Sequence, residues 1–161
     1  MKPRASKPAR AAKPAAKPKR RAAPQRAAGA APRVGYSQRS RIDKLGLKPG
    51  MRVAIIAVDD PWIRGELAER TEDVSEARPK AHTDLVLFGV NDVASLARLA
   101  ALEKTIARNG MIWAVWPKGR KHIREDDVRR AALAHGLVDV KVMAFSETLS
   151  GLKLVIPLAR R

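Results

Sequence analysis

The fold is best predicted from one stretch, Met51-Arg52-Val53-Ala54-Ile55-Ile56-Ala57-Val58-Asp59-Asp60-Pro61-Trp62. Its first eight residues are nearly all apolar, and several of them are β-branched. This pattern is typical of a strand buried on both faces, as in a parallel sheet. Because Asp60 suits a helix N-cap and Pro61 suits the first helical position, we expect a short helix over residues 61–70.

Downstream, apolar stretches alternate with helix-like ones. We expect four further strands, at residues 84–90, 111–116, 137–145 and 152–158. Residues 71–82 are polar without a clear period, which predicts a loop. Ser150-Gly151 is expected in the short connection between the last two strands, which favours an antiparallel hairpin.

Two more helices are predicted between these strands. Asn91-Asp92 can cap the first, and Asn109-Gly110 is a typical C-terminal stop for it. Glu125-Asp126-Asp127 places negative charge at the start of the second, which Gly136 ends. The apolar stripe of the first of these helices comprises Val93, Leu96, Ala97, Leu99, Ala100, Leu102 and Ile106.

The fold class that follows is α/β. Right-handed crossovers between the strands predict a Rossmann-like, mainly parallel five-stranded sheet that closes with a C-terminal antiparallel hairpin. Residues 42–161 are long enough for one compact domain, and residues 1–41 are expected to be a disordered basic tail.

Several short motifs support this fold. They are Leu47-Lys48-Pro49-Gly50-Met51-Arg52-Val53, Asp84-Leu85-Val86-Leu87 and Asn109-Gly110-Met111-Ile112-Trp113. With the closing hairpin, they resemble the later part of a class I, S-adenosylmethionine-dependent methyltransferase. A more specific set is Trp116-Pro117-Lys118, Gly136-Leu137-Val138-Asp139-Val140-Lys141-Val142 and Ser150-Gly151-Leu152-Lys153. This set resembles a small bacterial family of uncharacterised domains, and the resemblance implies a truncated methyltransferase fold but no reaction.

The sequence departs from such methyltransferases at the turn after the first strand. A methyltransferase of this type has a glycine-rich turn there, which lets the backbone approach the cofactor closely. Residues 57–62 contain no glycine. An acidic residue that would hold the cofactor ribose is expected about 20 residues further on, by analogy with dinucleotide sites, and falls in no recognisable strand. We therefore expect no binding of S-adenosylmethionine and assign no cofactor.

Charge divides the chain into two unlike parts. The chain has 33 Lys and Arg residues against 16 Asp and Glu, a formal net charge of +17. Residues 1–41 contain 13 of the basic residues, none of the acidic ones and six of the 11 prolines. A segment of this kind is typical of a ligand for a polyanion such as nucleic acid. The cations expected to contact phosphates, with DNA the expected partner, are Lys2, Arg4, Lys7, Arg10, Lys13, Lys17, Lys19, Arg20, Arg21 and Arg26.

The basic segment has two other interpretations. It is also compatible with a solvated tail that only keeps the protein soluble. An organelle transit peptide is poor in acidic residues too, but such peptides are amphipathic, and this segment has no large apolar face. The chain has no cysteine, no apolar stretch long enough to span a membrane and no secretory signal pattern. We expect a cytoplasmic or nucleoid-associated protein that does not bind membranes.

Polar residues at the ends of the predicted strands form a candidate crevice for a ligand. In open α/β sheets, ligands bind beyond the carboxyl ends of the strands, where Asp59, Trp62, Asn91 and Lys118 are expected to lie. Asp59 and Asp60 together can act as acid and base or hold a divalent cation. The competing interpretation is that Asp60 and Asn91 or Asp92 only cap helices. Likewise, the basic run 118–122 fits a phosphate-binding loop or a solvated one.

No catalytic or metal-binding motif is recognisable. His82, His122 and His135 lack the spacing of a helical metal site, and no serine lies in a nucleophile elbow. We expect a non-catalytic domain attached to a nucleic-acid-binding tail. The alternatives are a small-ligand-binding or enzymatic domain that uses the crevice, and a scaffold whose folded domain binds a protein partner.

Overall fold

A computed structural model describes residues 39–161 of the chain. The described part is a three-layer α/β structure around one six-stranded sheet with strand order β2-β1-β3-β4-β6-β5. Its strands are β1 (Val53–Ile56), β2 (Val74–Glu76), β3 (Thr83–Gly89), β4 (Ile106–Pro117), β5 (Val138–Ala144) and β6 (Leu149–Val155). Its α-helices are α1 (Arg41–Leu45), α2 (Ile63–Ala68), α3 (Leu99–Thr105) and α4 (Glu125–Ala134), with 3-10 turns at Ala94–Arg98 and Leu158–Arg160.

The strand directions confirm the predicted α/β class and the C-terminal hairpin. Strands β1 to β4 pair in parallel, and β6 pairs antiparallel with both β4 and β5. Strand β6 therefore lies between β4 and the edge strand β5. The expected tail lies outside the described residues except for Arg39, Ser40 and Arg41, and Arg41 begins α1 with Ser40 as its N-cap.

Each face of the sheet packs against its own hydrophobic core. On one face, side chains of α3 and α4 cover Ile56, Phe88 and Ile112. On the other, α1 and α2 cover Ile55 and Trp113. Such burial on both faces explains why the central strands are continuous apolar runs rather than alternating ones. Trp113 and Trp116 lie in different cores, as their opposite parity on one strand predicts.

Several predicted boundaries are wrong for local reasons. Strand β2 lies within residues 71–82, where a loop was expected. The sequence does not indicate this strand because it has only three residues and forms by backbone pairing with the buried strand β1. The third helix ends at Thr105 rather than at Asn109-Gly110, since β4 already begins at Ile106. Val93, placed in the apolar stripe, is 52% exposed because it precedes the 3-10 turn.

The hairpin also differs from its prediction. Ser150 and Gly151 lie inside β6, where Gly151 pairs with Val115 of β4 and Met143 of β5. Gly151 is buried within the strand, next to the Trp113 ring, and so does not form the turn. Among residues 39–161, no helix has the length and apolarity required to cross a membrane.

Gly89 fixes the approach of β1 to β3 at the carboxyl edge of the sheet. A Cβ at this position would lie 1.8 Å from the Ala57 carbonyl oxygen and 2.4 Å from its carbon. Ala57 itself has a φ of 53°, a left-handed conformation that a side chain disfavours. The backbone at the end of β1 can therefore lie this close to β3 only because residue 89 is a glycine.

We expect Gly89→Ala to lower the free energy of unfolding by about 2–3 kcal/mol, since the backbone it meets has little room to move. The matched control is Gly65→Ala in α2, where an added Cβ meets nothing within 4 Å. There the same substitution should be neutral or stabilise the protein by about 0.5–1 kcal/mol. Urea unfolding followed by circular dichroism measures both, and equal effects would contradict this explanation of Gly89.

Candidate functional site

A cleft of about 350 Å³ opens at the carboxyl ends of the central strands. The ends of β1, β3 and β4 form it together with the turn that precedes β6. The residues that line it are Ala57, Val58, Asp59, Gly89, Asn91, Val115, Pro117, Arg120, Thr148 and Leu149. Its place agrees with the general rule for ligand sites in open α/β sheets.

The polar groups of the cleft have mixed character. Asp59 supplies a carboxylate, Asn91 an amide, Arg120 a guanidinium and Thr148 a hydroxyl, and all four residues are exposed. A guanidinium binds an anionic group, while a carboxylate accepts hydrogen bonds. Within residues 39–161, no three His, Asp or Glu side chains are grouped as metal ligands would be. The cleft is therefore suited to a small polar ligand that carries both an anionic group and hydrogen-bond donors.

The structure brings together two of the four residues predicted for the crevice. Asp59 and Asn91 both line the cleft. Trp62 is 74% exposed and lines an adjoining hollow, which shares Asp59 and Thr148 with the cleft. Lys118 is not among the cleft residues, and its Nζ donates a hydrogen bond of 2.7 Å to the Ser146 carbonyl oxygen.

A cluster of charged side chains joins α1 to the turn after β1 and to α2. Arg41 Nη1 lies 2.6 Å from Asp60 Oδ2, and Arg41 Nη2 lies 2.7 Å from Glu66 Oε1. The guanidinium also lies 5.1 Å from the centre of the Phe145 ring and donates to the Phe145 carbonyl oxygen. Only 4% of the Asp60 side chain and 17% of that of Arg41 are exposed, so the pair is largely shielded from water.

Asp60 also caps α2, as the sequence predicts. Its Oδ1 accepts hydrogen bonds from the backbone N–H groups of Trp62, at 2.9 Å, and Ile63, at 3.0 Å. Burial would raise the pKa of this carboxyl group, but the hydrogen bond from Arg41, the N–H of Trp62, the charge of Arg41 and the N–H of Ile63 together lower it. For Arg41, burial would lower the pKa, but Glu66 and Asp60 raise it. Asp60 is thus held ionised at the end of β1.

Sequence reasoning missed Arg41, Glu66, Arg120 and Thr148 as members of these sites. Arg41 lies 19 residues from Asp60 and 25 from Glu66 along the chain, so their meeting depends on the fold. Arg120 belongs to the basic run 118–122, and that run was the one signal in the sequence for a cation near the cleft. Thr148 lies in an irregular turn that only the β5–β6 pairing places here.

The turn after β1 does not fit S-adenosylmethionine. Two N–H groups at the start of α2 already donate to the Asp60 carboxylate. Ala57 supplies a side chain where a glycine-rich turn would leave room, and the other Asp60 oxygen is bound to Arg41. Such a turn normally gives a cofactor free backbone donors, but here the N–H groups of Trp62 and Ile63 already donate to Asp60.

The acidic residue expected about 20 residues after β1 does lie in a strand, contrary to the sequence-based expectation. Glu76 ends β2, about 20 residues after the end of β1, as a ribose-binding acid would. Its Oε1 lies 2.7 Å from Arg64 Nε, an exposed ion pair that lowers the pKa of Glu76. Glu76 is not among the residues of the cleft. An acidic residue thus ends β2 at the expected separation, but it is paired with Arg64 and does not line the cleft.

Comparison with known proteins supports the fold. No protein-family model matches the sequence. No curated protein matches it either. Among solved structures, a putative methyltransferase from Thermoplasma acidophilum is similar, with 8% identity over 70% of each chain and a TM-score of 0.54.

Two other solved structures are also similar to the chain. A TehB-like S-adenosylmethionine-dependent methyltransferase from Corynebacterium glutamicum matches at 10% identity over 73% of this chain and 86% of that one, with a TM-score of 0.54. A methyltransferase from Aquifex aeolicus, also described as dependent on S-adenosylmethionine, matches at 13% identity over 72% and 87%, with a TM-score of 0.51. The described domain thus has a methyltransferase-like fold.

We expect Asp60→Asn to lower the free energy of unfolding by about 2 kcal/mol at pH 7, because Arg41 loses its shielded partner. The pKa of Asp60 is lower in the folded than in the unfolded protein, so its contribution is present above about pH 4 and is lost as the pH falls through the folded pKa. The difference between the proteins should therefore shrink in acid.

The neighbouring substitution Asp59→Asn is the matched control, since Asp59 is exposed and lines the cleft. Urea midpoints from tryptophan fluorescence, taken at neutral and acidic pH, give both quantities. A difference for Asp60→Asn that persisted undiminished below the folded pKa would contradict the ion-pair explanation.

Proposed function

We propose that this protein binds nucleic acid without sequence preference through residues 1–41, and that its methyltransferase-like domain does not transfer methyl groups. The observation behind the first part is the distribution of charge. Those 41 residues contain 13 of the 33 basic side chains and none of the 16 acidic ones. One of them, Arg41, pairs with Asp60 and Glu66 of the folded domain. The remaining cations have no acidic residue in their own segment, so they attract a polyanion over several ångströms.

Duplex DNA is the partner that we propose. It carries one negative charge per about 1.7 Å of axis, and each cation that neutralises a phosphate releases condensed counterions. The segment has no aromatic residue before Tyr36, so base stacking cannot supply the affinity. Contacts to the phosphate backbone, which carry no sequence information, remain. A cytoplasmic, nucleoid-associated location accords with this partner.

The second part of the proposal rests on the turn after β1. Asp60 accepts the N–H groups of Trp62 and Ile63 and is itself bound by Arg41, while the turn contains no glycine. These features oppose S-adenosylmethionine binding. Calorimetric titration of the full chain with S-adenosylmethionine should detect no binding, and a micromolar dissociation constant would overturn this part.

The first part is tested with two variants of the full chain. One replaces ten cations by Gln: Lys2, Arg4, Lys7, Arg10, Lys13, Lys17, Lys19, Arg20, Arg21 and Arg26. The matched control keeps the composition of residues 2–38 but scrambles their order. In anisotropy titrations against random-sequence duplex DNA at about 50 mM salt, the Gln variant should lose about 10³-fold in affinity. The scrambled control should bind as the natural chain does.

The salt dependence gives a second measure of the same contact. A plot of log K against log salt should become less steep by about 0.9 for each phosphate contact removed. If the Gln variant bound DNA as tightly as the natural chain, with the same slope, the segment would not be the binding element. A scrambled control that lost affinity would contradict the absence of sequence-specific contacts.

The cleft favours a second candidate function, the binding of a small anionic ligand. Its 350 Å³ volume and the presence of Arg120, Asp59, Asn91 and Thr148 in its lining support this. A nucleoside monophosphate has the matching anion and hydrogen-bond donors, so it should raise Tm. Arg120→Gln should abolish that increase, whereas the matched change Lys121→Gln, at an exposed neighbour outside the cleft residues, should not. Equal responses of the two variants would contradict this candidate.

A further inference from the structure

Two lysines face each other across the hairpin. Lys141 of β5 and Lys153 of β6 are directly paired in the antiparallel register. Like charges opposite each other in a sheet are destabilising, and opposite charges or apolar residues are the favourable choice at such a position. The pairing of two cations therefore needs an explanation beyond the stability of the hairpin.

Both ammonium groups lie at the C-terminal end of α1. Lys141 Nζ donates a hydrogen bond of 3.2 Å to the Lys44 carbonyl oxygen. Lys153 Nζ would lie 3.8 Å from a Cβ built on Gly46, the C-cap of α1. Arg161 is close enough for its charge to act on Lys153, and its Nε donates to the Ile156 carbonyl oxygen. Lys141 and Lys153 thus lie together at the end of α1, and Arg161 adds positive charge to their surroundings.

Helix capping explains only part of this arrangement. Lys141 satisfies an end carbonyl of α1, but α1 has five residues and a correspondingly weak dipole. Lys153 is partly buried, and burial, then the charges of Lys141 and Arg161, lower its pKa. No acidic side chain of the described residues is among the groups that shift it. The surroundings of Lys153 disfavour its charge, and a bound anion would reverse that.

We propose that Lys141, Lys153 and Arg161 form a phosphate-binding site on the folded domain, which extends the contact of the N-terminal segment along the same DNA. This inference rests on the proposed function. The chain enters the fold at Ser40, the N-cap of α1, and the site lies at the other end of that helix. Five helical residues span about 7.5 Å, close to the rise of two base-pair steps. A strand held near Ser40 therefore comes within reach of the three cations.

The test compares two double variants of the full chain. Lys141→Gln with Lys153→Gln removes two charges from the site. Lys104→Gln with Arg108→Gln removes two charges from exposed positions at the end of α3 and the start of β4. Anisotropy titrations with random-sequence duplex DNA should show a loss of about tenfold at 50 mM salt for the first pair only. Its log–log salt slope should become less steep by about 1.8, which corresponds to two lost phosphate contacts.

The outcomes separate this site from the proposed function as a whole. If the natural chain binds no DNA, both fail. If the natural chain binds DNA but the two double variants have the same affinity and slope, the site fails and the contact by the N-terminal segment stands.

Stability without DNA gives a further readout. A phosphate site predicts that Lys153→Gln leaves Tm unchanged or raises it, because a repulsion is removed. A purely structural role for Lys153 predicts a lower Tm for this variant. A lower Tm together with unchanged DNA affinity would overturn the proposal.

Discussion

The described structure depends on the Asp60 carboxylate, which does two things at once. One oxygen accepts the first N–H groups of α2, and the other binds Arg41 of α1. Arg41 in turn reaches Glu66 of α2 and the Phe145 carbonyl oxygen at the β5–β6 turn. Elements that are distant in sequence are thereby joined at the carboxyl edge of the sheet. These largely shielded charges stabilise the fold only while all of them are paired, because a shielded charge without a partner lowers the free energy of unfolding.

This arrangement divides the carboxyl edge of the sheet into a closed part and an open part. In the turn after β1, the N–H groups of Trp62 and Ile63 donate to Asp60, so they are not available to a ligand. The open cleft lies at the ends of β1, β3 and β4, and both a guanidinium and a carboxylate line it. Cations on the hairpin form a separate feature at the end of α1. The fold thus resembles that of methyltransferases, while its chemistry at this edge is different.

Sequence patterns predicted the central strands because burial on both faces requires continuous apolar residues, as in Val53–Ile56 and Thr83–Gly89. They missed β2, since its three residues include a serine and a glutamate and depend on β1 for pairing. The cap by Asp60 was predictable, because it is local. The partnership with Arg41 was not, because folding alone brings the two together. Gly89 lies within the predicted strand 84–90, but its contact with Ala57 was not predictable because it depends on the packing of two strands.

In the proposed function, the cationic N-terminal segment recognises DNA by charge, and the turn after β1 of the folded domain binds no cofactor. Residue-resolved NMR of the full chain during titration with duplex DNA tests this most directly. We expect shifts of the amide signals of residues 1–41 and of those around Lys141 and Lys153, while the amides of Trp62 and Ile63, which donate to Asp60, keep their shifts. Shifts confined to the cleft around Asp59 and Asn91, with the N-terminal signals unmoved, would contradict it.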